Sequence, residues 1–395
     1  MSERASPGGH ELPLLLHSPA TPRRSRKALI WWLSASLAFA AILVTAGALQ
    51  LTANLGYDDA LSRFDDALDD TRLTLTDVEA LTNELRTTSE TATLLVESDS
   101  GVLADPGAKE ALRASVSAAD DAAASAEELL TEPLPEAEAK PIVFWELFEA
   151  AEELDVEVEG LRTLDSDLSE ESPGITAATD DVTADGLALV ESAATAASAF
   201  EAAHLSAKND DVIALRDAAT TAAGTAVLDD TAVSSFVALQ DAAGQVVAGE
   251  KTELAEKAGP LQGTRLEIEA FARSLAPGVL LEFDWNTIVN GAGYNGSMGG
   301  LTTWWWDEPD RALIELSNSV AEQWPGDRSK ALVAHEVGHA ISVKCEEMYD
   351  SSTQDSIEKW ATAWAISKGF TDDAYGVWAY GYPPQSYIDA AAGCR

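Results

Sequence analysis

The chain has 395 residues, with 67 Asp+Glu against 25 Lys+Arg, a formal net charge of −42 and a pI near 4.2. Such a polyanion repels phosphate backbones, which excludes nucleic acid as an expected partner, and 46% apolar residues argue against wholesale disorder. Two cysteines are too few for a disulfide-rich scaffold or a Cys-ligated zinc finger.

The charge divides the chain into three parts: residues 1–51 carry +3, residues 52–275 carry −35 and residues 276–395 carry −10. Residues 1–27, with Pro7, Pro13, Pro19 and Pro22, read as a disordered cytoplasmic tail ending in Arg23, Arg24, Arg26 and Lys27. Residues 28–49 follow without a charge. As a helix they measure about 33 Å, enough to cross a hydrocarbon core of about 30 Å. With the basic cluster before it and Trp31-Trp32 at the interface, the segment 28–51 is expected to be a single-pass signal anchor in the cell membrane. Everything after it is then extracellular. The alternative is a cleaved signal peptide with Ala46-Gly47-Ala48 as the cleavage site.

Residues 52–275 predict an acidic, Ala-rich helical bundle or coiled-coil stalk. Leu61, Leu68 and Leu75 stand seven apart, interleaved with Phe64, Thr71, Val78 and Leu85, and Leu147, Leu154, Leu161 and Leu168 repeat the spacing. Pro133, Pro135 and Pro141 separate these runs, and Ser172-Pro173-Gly174 is expected to close the second. A spacer role and a ligand-binding sensor role both remain open for this region, as does self-association through it.

Residues 276–395 carry Ala334-His335-Glu336-Val337-Gly338-His339-Ala340, an HExxH motif inside a helix expected over 327–344, capped by Asp327 or Ser329. Residues four apart share one helical face, so both imidazoles can reach one Zn²⁺, with Glu336 beside the open coordination position as general base. Strands are expected at 279–283, 301–304 and 311–317, with glycine turns between them. Cys345 and Cys394 are expected to pair in an oxidising exterior, closing a loop of about 50 residues worth roughly 3–4 kcal/mol. Two free thiols, or metal ligation by Cys345, are the alternatives.

The motif resembles the zincin metallopeptidases over these last residues, which would make the chain an α+β protein with a small sheet preceding the metal helix. The resemblance implies a zinc-dependent hydrolase of protein or peptide substrates. By analogy, Leu313, Ile314 and Glu315 would lie on an edge strand that binds an extended peptide, and a buried central strand is the alternative. No His follows His339, so the metzincin pattern is ruled out and the third ligand is expected to be a carboxylate. Glu358, on a second helix with Asp355 or Ser356 near its N-cap, resembles the gluzincin ligand; Asp372 is its rival. Those proteins often place Asp four residues after the ligand Glu, where this chain has Thr362. Tyr375, Tyr380, Tyr382 and Tyr387 are all candidates for oxyanion stabilisation. The alternatives to a peptidase are a cell-surface interaction protein with a degenerate zincin domain and a metal-dependent hydrolase of a non-peptide bond.

Overall fold

The computed structural model describes residues 26–395; the proline-rich leader with Arg23 and Arg24 lies outside the described residues. The described chain is mostly helical, with one small three-stranded sheet. Contacts divide it into two compact units, one ending at Thr76 and taking in Thr131–Leu168, the other comprising Asp77–Leu130 and Ser169–Arg395. Three long helices begin the chain: α1 (Arg26–Ser98), α2 (Pro106–Leu130) and α3 (Phe144–Ala203).

In the first unit, α1 opens with a stretch that is long and apolar enough to cross a membrane, with mean hydropathy 1.9 and every side chain outside a core. Beyond it Tyr57, Phe64 and Thr71, seven apart, are buried with Leu147, Leu154 and Leu161 of α3. Leu61 and Leu75 are only half-buried and Leu68 between them is buried, so the seam is centred on Phe64 and Thr71. The Thr71 hydroxyl reaches Ala67 O at 2.8 Å and Leu161 O at 3.2 Å, which satisfies a polar group inside the seam.

In the second unit the sevenfold pattern continues along α3 through Ile175, Val182 and Leu189, all fully buried. The expected break at Ser172-Pro173-Gly174 does not occur, because Pro173 lies inside α3. A proline in a helix interior costs about 3 kcal/mol. Burying Leu168 on one side and Ile175 on the other contributes about 1.5–3 kcal/mol each and keeps the helix running.

Helices α4 (Asn209–Ala223), α5 (Asp230–Glu256) and α6 (Gln262–Leu275) precede the sheet. The expected boundary at residue 276 does not separate α6 from the strands. Ile268 and Ala272 share one core with Leu281, Phe283, Ile314 and Leu316 of the sheet. Glu269 of α6 accepts from Trp285 Nε1 at 3.0 Å, and Arg273 donates to Leu281 O at 3.2 Å.

The sheet has the order β1 (Leu280–Asn286), β3 (Glu308–Ser317), β2 (Gly300–Trp305), with β1 parallel and β2 antiparallel to β3. Leu313 pairs with Glu282 on one side and Thr303 on the other, and Ile314 and Glu315 are likewise paired on both sides. These three residues therefore do not form an edge that could accept an added strand. The edge strand beside the site is β2. After β3 come α7 (Asn318–Glu322), α8 (Asp327–Ser342), α9 (Gln354–Ser367), α10 (Val377–Tyr380) and α11 (Gln385–Ala391).

Candidate metal centre

Helix α8 carries the HExxH residues and is buried along nearly its whole length. Its N-cap is Gly326; Asp327 sits in the first turn, and the Ser329 hydroxyl donates to Gly326 O at 2.9 Å without capping the helix. Helix α9 is capped by Thr353, whose hydroxyl accepts from Ser356 N, so the cap lies two or three residues before the expected Asp355 or Ser356. The two helices pack closely at Gly338. A Cβ there would stand 2.8 Å from Ala361 O and 3.0 Å from Ala361 Cα, so only glycine lets α9 approach.

That approach brings His335, His339 and Glu358 together, and among the described residues they form the group arranged to hold a metal ion. His335 Nε2 and His339 Nε2 are 3.1 Å apart, and Glu358 Oε2 lies 3.2 Å from the first and 3.3 Å from the second. Three ligands each about 2.0–2.1 Å from one tetrahedral zinc stand about 3.3 Å from one another, so the residues present fit such an ion. Gln354 Nε2 donates to Glu358 Oε1 at 2.8 Å and turns the other oxygen toward the histidines. Burial pushes the Glu358 carboxyl up, but hydrogen bonds from His335 and His339 outweigh it and hold the group well below the usual carboxylate range. Asp372 is not part of the group; its carboxylate accepts from Ala374 N at 3.0 Å and starts a short 3-10 turn.

Thr362 fills the place where the resembling family often has Asp. Its hydroxyl stands 2.8 Å from Tyr375 O and 3.3 Å from His335 Nδ1. A carbonyl only accepts, so the single hydroxyl proton goes to Tyr375 and the oxygen lone pair faces His335. Thr362 therefore favours a proton on His335 Nδ1, so that a metal-bound ring would offer its Nε2 lone pair. His339 has no such support: its Nδ1 is buried without a partner, and its ring stacks on Trp304 at 5.2 Å, 5° from parallel.

Glu336 is buried beside the ligands, and its Oε2 accepts from the Thr302 hydroxyl at 2.7 Å. Burial raises its pKa to about 6, against the opposing pull of His335 and Thr302. Strand β2 lies directly on this side chain. A Cβ at Gly300 would stand 2.3 Å from Glu336 Oε1 and 2.7 Å from its carboxyl carbon, so a larger residue there would displace the Glu336 carboxylate.

The cavity over the site measures about 410 Å³ and is lined by Gly300, Thr302 and Trp304 of β2, the HExxH residues, Glu358, Trp378 and Tyr380. Of the four tyrosines, Tyr380 is the one in the cavity wall. Its phenol is pushed up by burial and then by the charge of Glu358, which keeps it a protonated donor. Tyr375 donates to Thr371 O, Tyr387 bonds Ser356 and Asp350, and Tyr382 is largely exposed. Strand order and backbone approach, neither visible in a local motif, identify Gly300 and Thr302 as parts of the site, and the cavity wall selects Tyr380 from the four expected tyrosines. Cys345 and Cys394 form a disulfide that ties the segment after α11 to the end of the metal helix. No family model, curated protein or solved structure matches this chain.

Proposed function

We propose that the chain is a membrane-anchored, exported zinc-dependent peptidase. The observation that carries this reading is the convergence of His335 Nε2, His339 Nε2 and Glu358 Oε2 at 3.1–3.3 Å beside the buried carboxylate of Glu336. Zn²⁺ bound there supplies Lewis acidity, polarising a carbonyl and making water more acidic. Glu336, steered by Thr302 through Oε2, takes the proton of the attacking water and passes it to the leaving amine. Tyr380, protonated and on the cavity wall, donates to the oxygen on which negative charge develops. The unpaired side of β2, beside Glu336, offers backbone donors and acceptors to an extended peptide, in place of Leu313, Ile314 and Glu315. Anchoring rests on the apolar start of α1 and on the basic residues that precede it in the sequence.

The test is zinc per mole of the purified full chain together with cleavage of a peptide library, for the native protein and for Glu336→Gln. About one zinc in both proteins, with cleavage lost by a factor on the order of 10²–10⁴ in the variant, is the expected result. No zinc above background would sink the proposal and move the function to the acidic helices. Zinc with no peptide cleavage in either protein would point instead to a non-peptide bond.

A further inference from the structure

The end of the α2–α3 connection and the first two residues of α3 form a run of five apolar residues, Pro141-Ile142-Val143-Phe144-Trp145, in a region of the chain otherwise dense in Asp and Glu. Its position along α1 is set by two contacts within the first unit. Tyr57 donates to Glu138 O at 3.4 Å and Gln50 Nε2 donates to Ile142 O at 2.9 Å. The chain thus descends along α1 from residue 138 to residue 142, turns, and climbs back as α3. The lowest point of the turn is level with Gln50, one residue past the uncharged run 28–49.

The tip is not buried by the unit it belongs to. Ile142 is 86% exposed and Trp145 59%, while Leu51 and Leu55, 63% exposed each, extend the apolar collar on α1. Leu147, one turn above, is fully buried against the unit, while Phe148 beside it, 43% exposed, continues the apolar face of the tip. Trp31 and Gln50 are separated by about 29 Å of helix, close to a hydrocarbon thickness of about 30 Å. Trp31-Trp32 at one end and Trp145 at the other therefore stand where two interfacial aromatic belts belong, and an indole there keeps its N–H in the polar zone.

We infer that the 141–145 turn is a second membrane contact, seating Ile142 and Trp145 in the outer-leaflet interface and holding the first unit against the bilayer surface. This rests on the reading of α1 as a membrane span. Flat apolar contact by a turn fixes the tilt of the stalk, which a single helix crossing the interface does not.

The experiment uses the full chain in phosphatidylcholine vesicles with an NBD fluorophore on an introduced cysteine, the native pair being joined in a disulfide. Three sites are compared: Ile142→Cys, Val44→Cys within the apolar run, and Thr163→Cys, about 30 Å farther along α3. Nitroxide lipids carry the quencher either near the headgroup or near the bilayer centre. The expected result is loss of Ile142 emission with the headgroup-level quencher, loss of Val44 emission with the central one, and no loss at Thr163. Quenching at Val44 without quenching at Ile142 overturns the inference and leaves the anchor standing. No quenching at Val44 overturns both. Ile142 emission that falls without nitroxide lipid, and recovers when unlabelled chain is added, means a second copy covers the turn and also overturns it.

Discussion

Asp58, Asp59, Asp65, Asp66, Asp69 and Asp70 of α1 and the pair Glu336 and Glu358 carry the same functional group in opposite surroundings. The six aspartates are exposed, flanking a seam whose geometry comes from a sevenfold apolar repeat. The two glutamates are fully or largely withdrawn from water, and each oxygen that matters has a named partner: Thr302, Gln354, or the two histidines. Most of the net charge of −42 therefore says nothing about chemistry. What sets the two glutamates apart is the backbone and side chains packed around them, which come from β2, α8 and α9 together.

This contrast can be broken most severely at Gly300. Gly300→Ala places a methyl on the Glu336 carboxylate, and peptide cleavage should fall on the order of 10²-fold, the cost of a misplacement of about 1 Å. Circular dichroism should show helical content unchanged; cleavage at the native rate would remove β2 from the account of the site. A smaller loss is expected from Thr362→Val, which keeps the volume and removes the hydrogen-bond relay to His335. Zinc affinity measured by chelator competition should weaken about 10–100-fold. Thr362→Ser, which keeps the hydroxyl, should restore the affinity.

The buried carboxylate also leaves a signature in stability. Glu336 has a pKa near 6 in the fold against an ordinary 4.5, so the folded state binds the proton more tightly than the unfolded chain. The cost of ionising it is absent below about pH 4.5 and grows to on the order of 2 kcal/mol as pH rises through 6. Glu358, held low, acts in the opposite sense, with stability present above its ordinary pKa and lost on acidification. Denaturant melts of the metal-free protein should therefore lose stability between pH 4.5 and 6 relative to Glu336→Gln, and parallel curves would contradict the burial argument. The smallest effect is expected at Pro173, where Pro173→Ala should raise the denaturation midpoint by about 1 kcal/mol of stability or more, since α3 already runs through the proline. A drop would mean that the proline itself is required inside α3.

Much of the site is legible in the sequence, and the reasons differ by feature. His335, Glu336 and His339 are read from a spacing of four on one helix, and the structure places Glu358 beside both histidines. The Cys345–Cys394 pairing also matches the expectation. β2 falls within one residue of its expected place at both ends, while β1 runs three residues past its expected end and β3 begins three residues earlier. Strand order is not legible: 313–315 and 301–304 both read as half-apolar runs, and only pairing on both sides distinguishes the centre from the edge. Nor can a local rule foresee that α3 continues past Ser172-Pro173-Gly174, because the compensating burial of Ile175, Val182 and Leu189 is tertiary. Thr362 reads as a defect in a family pattern; its role depends on the Tyr375 carbonyl, which a sequence does not place.

The disulfide has a consequence for biosynthesis. Glu358, Thr362, Trp378 and Tyr380 all lie inside the 49-residue span that Cys345 and Cys394 close. His335, Glu336 and His339 lie just before it. Sealing that ring removes roughly 4 kcal/mol of chain entropy from the unfolded ensemble. A newly made, reduced chain thus holds the two halves of its site together without this covalent constraint, and the enclosure is complete only once the thiols are oxidised. Maturation of the site is in this way coupled to the compartment in which the thiols are oxidised.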